Sequence, residues 1–303
     1  VVPYNRRVIE EWGFDDPAEL YANDEWTWDV FYEMCMEFSD PDEDRYALDG
    51  WYVVNSIVEE SSGVYLLDKD ENGKFFSNLD STIIEFAQNM IYDLVKNECC
   101  YHEGTNYWAN RNQAQYGAGV KDGLCLFWIC DRDDGFRLPV EEMNNIWGDI
   151  EAGEFMFAPL PRYQDGDGIY YLNAMPKGYM ICKGATNPEG VALLASCERF
   201  KILDPTVVDI DEKQLREVYK WSDEMIEMAR TCNQIVADNP KMFYTGNLPQ
   251  GLQDVYNNFD WNIRRSGATS TWAQLKESNQ ERFDYYIDEL NALIEEYNAG
   301  GTV

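Results

Sequence analysis

The chain has 303 residues, of which 45% are hydrophobic and 15% aromatic, with 24 Lys and Arg against 56 Asp and Glu for a formal net charge of -32. That length and apolar content exclude a disordered chain and predict a globular protein too large for one simple core. The charge excludes binding to nucleic acid, which rests on Lys and Arg neutralising phosphates, and argues against docking flat on an anionic membrane.

In chain order, Arg6 to Trp12 reads as a short helix ended by Gly13. Thr27 caps a helix running to about Phe38, with Val30, Met34 and Phe38 at helical spacing. Tyr46 to Val58 reads as a strand, and a hairpin follows between Val64 and Phe76. Its turn, Asp68 to Gly73, matches the first half of a calcium loop, but the twelfth position is Leu79 instead of a bidentate Glu. A polar Asn-Gly hairpin turn is the better reading.

Ile83 to Val95 is predicted helical, and the apolar run Leu124 to Cys130 is a buried strand delivering polar groups at its tip, Asp131 to Gly135. A helix at Glu141 to Trp147, a strand at Phe155 to Pro161 and extended segments around Asn173 to Lys177 come next. Asn187-Pro188 starts a helix carrying Val191 and Leu194. From Asp211 the sequence is almost wholly helical, and Phe283, Tyr286, Ile287, Leu290, Leu293, Ile294 and Tyr297 form an apolar face on the last helix. A boundary near residue 205 divides mixed α/β sequence, 1–205, from a helical region, 206–303.

Little in the chain suggests catalysis. The single histidine, His102, sits between thiols and a carboxylate, where a solvent-exposed histidine at a helix end is the expected reading. There is no nucleophile elbow, no phosphate-binding loop and no zinc-protease signature. The eight cysteines lack metal-site spacing and read mostly as small core hydrophobes. No catalytic residue, metal or cofactor is therefore expected. A glycosidase carboxylate pair stays open, since two among 56 acidic residues would suffice.

Ten Trp and 20 Tyr are a different signal, because flat aromatic faces stack on sugar rings while Asn, Asp and Lys satisfy hydroxyls. Trp26, Trp28, Trp221 and Trp261 are expected in the core; Trp51 and Trp128 lie on strand-like segments near breaks, from which side chains project into clefts.

Several segments resemble the family 1 extracellular solute-binding proteins, the sugar-binding lipoproteins of ABC importers. Tyr4-Asn5 leading to a Gly13-ended helix, Asp16-Pro17, and Glu25-Trp26-Thr27-Trp28-Asp29-Val30-Phe31 match the family pattern, as do the Gly123-led apolar strand, Ala158-Pro159-Leu160-Pro161 and Asn187-Pro188-Glu189-Gly190. The resemblance covers residues 1 to about 204 and, more loosely, the remainder.

It implies a periplasmic-binding-protein-like (class II) two-lobed α/β fold with a largely helical C-terminal third. It further implies that roughly 150 residues, one small lobe with signal peptide and lipidated cysteine, precede Val1. The implied task is to bind a mono- or oligosaccharide between the lobes and deliver it to a membrane permease, as a cell-surface lipoprotein of a Gram-positive bacterium whose only tie to the membrane is its lipid anchor. Trp51 and Trp128 are the expected stacking residues and Asp131, Asn173 and Lys177 the hydroxyl partners, with Tyr52 and Tyr179 beside them. A binder of peptides or cationic small molecules, a glycoside hydrolase and a surface assembly subunit are the alternatives.

Overall fold

The computed structural model describes residues 1–49, 61–106, 119–130, 136–174, 181–242, 248–260 and 262–299. Strand β1 (Val2–Asn5) runs straight into helix α1 (Arg6–Trp12), and Asn5 is the pivot. Its side-chain oxygen accepts from Val8 N at 3.2 Å and caps the helix, while Nδ2 donates to the Trp147 carbonyl at 2.7 Å. Gly13 closes α1 with φ 71°, the left-handed conformation that a glycine adopts without penalty. Helix α2 (Pro17–Ala22) starts on an Asp16 cap with proline in its first turn, and α3 (Trp28–Phe38) starts on Thr27, where the sequence predicts it. Along α3, Trp28, Phe31, Met34, Cys35 and Phe38 are buried, the stripe expected of a helix laid on a core.

The strands are short. β1 pairs antiparallel with β6 (Phe155–Ala158), and β2 (Tyr46–Asp49) pairs parallel with β5 (Cys125–Trp128). The two pairs join where Cys130 N donates to the Val1 carbonyl at 3.3 Å and Val1 N to the Cys130 carbonyl at 3.2 Å. On the far side of β2, Leu48 N donates to the Cys99 carbonyl and Tyr101 N to the Leu48 carbonyl, at 2.9 and 2.8 Å. The resulting order is 99–101, β2, β5, β1, β6. All four residues of β1, β5 and β6 are buried, as in a sheet covered on both faces.

One side of this sheet is packed by rings. Phe136 meets Phe155 at 5.0 Å, Phe157 at 5.2 Å and Trp147 at 5.6 Å, and Trp221 donates its indole N–H to the Phe136 carbonyl. Helices α4 (Thr82–Lys96) and α5 (Val140–Ile146) complete the mixed region, together with a hairpin of β3 (Leu67–Lys69) and β4 (Phe75–Ser77). In its turn the Asp70 carboxylate accepts from Asn72 N and Lys74 N, at 2.9 and 2.8 Å, so the polar-turn reading matches the geometry.

Helices α6 (Pro188–Leu203) and α7 (Pro205–Glu217) share Asp204, which ends the first and caps the second. They lead to α8 (Asp223–Asp238), which lies against β6, and to β8 (Lys241–Met242), which pairs parallel with β7 (Asn173–Ala174). The chain ends in α9 (Gln250–Asp260), α10 (Asn262–Arg265) and the long α11 (Trp272–Asn298), which opens on a Thr271–Gln274 capping box and packs on α9, α4 and β4. Among the described residues no helix is long and apolar enough to cross a membrane.

Two expectations need correction, and the cysteine reading holds for most of the eight. On α11, Phe283 and Ile287 are buried, but Leu293 and Tyr297 are exposed, because they turn away from α9 and β4 near the helix end. Instead, Asn291 anchors that end, bonding both the N–H and the carbonyl of Phe75, at 2.8 and 2.9 Å. Cys35, Cys99, Cys100, Cys125 and Cys232 are core thiols, but Cys182 and Cys197 are exposed. Finally, His102 does not end a helix in solvent; it follows the 99–101 segment beside β2, with Nδ1 2.9 Å from the Gly104 carbonyl and its ring edge-on to Tyr46.

Candidate functional site

Parallel strands leave their carboxyl ends on one edge, and open α/β sheets bind ligands there. β2 and β5 end side by side, with Asp49 opposite Trp128 in the register, and the 99–101 segment ends beside them at Tyr101. Trp51 and Tyr52 follow two and three residues after Asp49, and Asp131 follows three after Trp128.

Of the predicted residues, Trp128 is described in full. It is 8% exposed and meets Trp147 edge-on, centroids 6.1 Å apart. Asn173 lies in β7, in register with Lys241 of β8, so its backbone is placed in a parallel pair. Trp51, Tyr52, Asp131, Lys177 and Tyr179 lie outside the described residues. Lys241, which the sequence reading missed, extends its ammonium to the rings of Tyr65 and Tyr171, at 5.9 and 5.8 Å.

Behind the strand ends is a buried charged group that sequence reasoning also missed. Asp49 is 1% and Arg264 of α10 5% exposed, and Arg264 interacts electrostatically with Asp49 and Cys100. Burial pulls the Arg264 pKa down, against the opposing effect of Cys100 and Asp49. Burial likewise pushes the Cys100 thiol up to about 12, which keeps it protonated and unreactive. A polar Asp immediately before Gly50 at a strand end was the one sequence signal for this group. Arg264 had none, because its partners come from residues some 160 to 215 positions away in the chain.

A concavity of about 450 Å³ lies elsewhere, between α2 and α8, lined by Tyr21, Tyr170, Arg230, Gln234 and Asp238. Tyr21 and Tyr170 meet edge-on at 4.7 Å, and Arg230 is engaged by Glu212 and Glu227. Among the described residues no group of His, Cys, Asp or Glu is arranged to hold a metal ion.

No protein-family model matches the chain, and no curated protein matches it either. Solved structures do. The sugar-binding protein MalE of Xanthomonas citri superposes with a TM-score of 0.59 at 15% identity, covering 97% of this chain and 70% of its own. The galacto-N-biose-/lacto-N-biose I-binding protein of a Bifidobacterium longum ABC transporter, in complex with lacto-N-biose, gives 0.56 at 13% identity, covering 100% and 69%. UgpB of Mycobacterium tuberculosis, in complex with glycerophosphocholine, gives 0.54 at 13%, covering 95% and 69%.

The fold is that of the ABC-transporter solute-binding proteins. Nearly the whole chain aligns with that fold, and about 30% of each neighbour has no counterpart here. The α/β architecture expected from the sequence is thus the one observed. Within the solute-binding-protein fold, the β2/β5 edge is the place where strand ends converge, whereas the groove between α2 and α8 lies beyond β6, at the other end of the strand order.

Proposed function

We propose that this protein is the substrate-binding component of an ABC importer, taking a mono- or oligosaccharide at the β2/β5 edge and presenting it to a membrane permease. The observation that carries the reading is the solute-binding-protein fold with Asp49 and Trp128 at adjacent carboxyl strand ends. Trp51 and Tyr52 follow β2 and an acidic run, Asp131 to Asp134, follows β5, residue types that a sugar site uses as flat apolar faces and as hydroxyl partners.

Trp51 and Trp128 would stack on the ring, Asp131, Asn173 and Lys177 would satisfy hydroxyls, and Tyr52 and Tyr179 would flank them. The task is binding, without bond cleavage, and ligand enclosure would come from closure of two lobes about the chain crossings near β7 and β8. Residues 1–205 would supply one lobe with its hinge crossings and 206–303 helices packed on the lobes. The location would be extracellular, on a Gram-positive cell surface through a lipid anchor outside these residues.

Calorimetric titration with a panel of mono- and oligosaccharides tests this: saturable heat with at least one sugar is expected. Silence across the panel, with intact folding, would sink the carbohydrate reading. A cationic ligand is the second reading, favoured by the net charge of -32. Heat with a polyamine or a choline ester, falling steeply with salt, would select it.

A further inference from the structure

Lys241 is half-buried in β8, yet among the described residues no carboxylate pairs with its ammonium and no oxygen accepts a hydrogen bond from it. On a chain with 56 acidic residues against 24 basic ones, that runs against the composition. What the ammonium meets instead is aromatic: the rings of Tyr65 and Tyr171, 2% and 9% exposed, with centroids at 5.9 and 5.8 Å. Ring faces attract a cation without engaging its N–H groups as an oxygen would, so the donors of the lysine stay available.

The Tyr171 ring is held independently of the lysine. Its hydroxyl donates to Asp167 Oδ2 at 2.6 Å, and the other Asp167 oxygen accepts from Ile169 N at 2.9 Å. The ring lies against Gly63, where a Cβ would come within 2.5 Å of a ring carbon and where φ is 69°, so the close approach and the backbone conformation both call for glycine. The ammonium therefore rests on a fixed aromatic floor as one half of an ion pair whose other half these residues do not supply.

Its place and its charge indicate what completes the pair. Lys241 is in register with Asn173, one of the residues assigned above to the sugar site. An ammonium donates most strongly to an ionised carboxylate or phosphate oxygen, and it repels a cationic solute. Repulsion from the acidic remainder of the chain is screened over about 8–10 Å at physiological ionic strength, so at contact distance the local cation decides.

We infer that Lys241 is a specificity-determining residue of the solute site, receiving the acidic group of an anionic saccharide, a carboxylate or a phosphate carried on the sugar, beside the faces of Tyr65 and Tyr171. The inference rests on the saccharide reading, with Asn173 in the site, and names the ligand class within it.

Calorimetric titration tests it with galacturonate and its short oligomers beside galactose and its oligomers, and with glucose 6-phosphate beside glucose. The protein is expected to bind at least one acid more tightly than its neutral counterpart by about tenfold or more, and the uronate and phosphate arms separate the two sources of charge. Lys241→Gln should bring that ratio to within about twofold, whereas Lys241→Arg, which keeps the charge, should retain most of it. Thermal unfolding of both variants checks that they fold. A preference of the unaltered protein for neutral sugars, or an acid preference that survives in Lys241→Gln, would overturn the inference and leave the saccharide reading standing. Silence with acidic and neutral saccharides alike would sink the saccharide reading itself.

Discussion

Asp49 and Trp128 stand opposite each other in a parallel register at the carboxyl ends of β2 and β5, one almost fully buried beside Arg264 and the other edge-on to Trp147. The strand ends are therefore backed by a buried charge interaction on one side and a ring contact on the other.

Trp128→Ala removes both the ring contact with Trp147 and the proposed stacking face. A core Trp truncation costs about 3–5 kcal/mol, and Trp128→Phe, which keeps a ring against Trp147, should cost far less. Denaturant unfolding of the two variants checks the structural part. Calorimetry on the Phe variant checks the site, where a weakening of about tenfold in sugar affinity is expected from the loss of ring area. Unchanged affinity would remove Trp128 from the site.

Arg264→Ala leaves the Asp49 carboxylate buried without its cation. Breaking a buried pair on one side costs about 3–5 kcal/mol, whereas replacing both partners by groups of similar shape is often neutral. Asp49→Asn combined with Arg264→Met should therefore be more stable than Arg264→Ala alone, as read from urea midpoints. The opposite ranking would show that the pair contributes nothing.

Asn5 serves two elements, capping α1 and bonding the Trp147 carbonyl. Asn5→Ala should cost about 2 kcal/mol, combining a lost cap with a buried carbonyl left unpaired. Gly148 lies against it with φ 113°, and a Cβ there would sit 2.2 Å from Asn5 Nδ2. Gly148→Ala should thus destabilise the protein as well, through both backbone strain and steric clash. Thermal unfolding of the two single variants and the double variant should show strong non-additivity, because one removes the atom the other strikes.

The Glu212 carboxyl is held below its ordinary range by hydrogen bonds from Arg230, which ties α7 to α8, and from Arg216 within α7. A depressed carboxylate stabilises the fold above its unfolded pKa, and that contribution is lost as pH falls through the lower folded value. The pair is close to the surface, so the effect should stay under about 1 kcal/mol and fade with salt. Glu212→Gln should lower stability at neutral pH and converge with the parent below about pH 3. Parallel curves down to that pH would contradict the assignment.

Much of the fold was legible because it is encoded locally. The Thr27 cap with its following apolar stripe, the Gly13 stop, the Asn187-Pro188 start and the Asn-Gly turn are each decided within one or two turns of chain. Strand placement near Leu124 and Phe155 was legible too, since a run of buried residues between turn signals has few alternatives.

Contacts distant in sequence were not legible. Nothing in the residues around Asn291 announces that it holds the backbone of Phe75, and nothing around Arg264 announces Asp49. Leu293 and Tyr297 satisfy the helical period yet face outward, because periodicity states which residues share a face and not how far the partner extends. Sequence alone settled the type of each local element, through caps, turns and apolar period. Only the tertiary structure decided that β2 and β5 end side by side and that Lys241 comes to lie on the rings of Tyr65 and Tyr171, because both depend on which surfaces meet after the chain has folded.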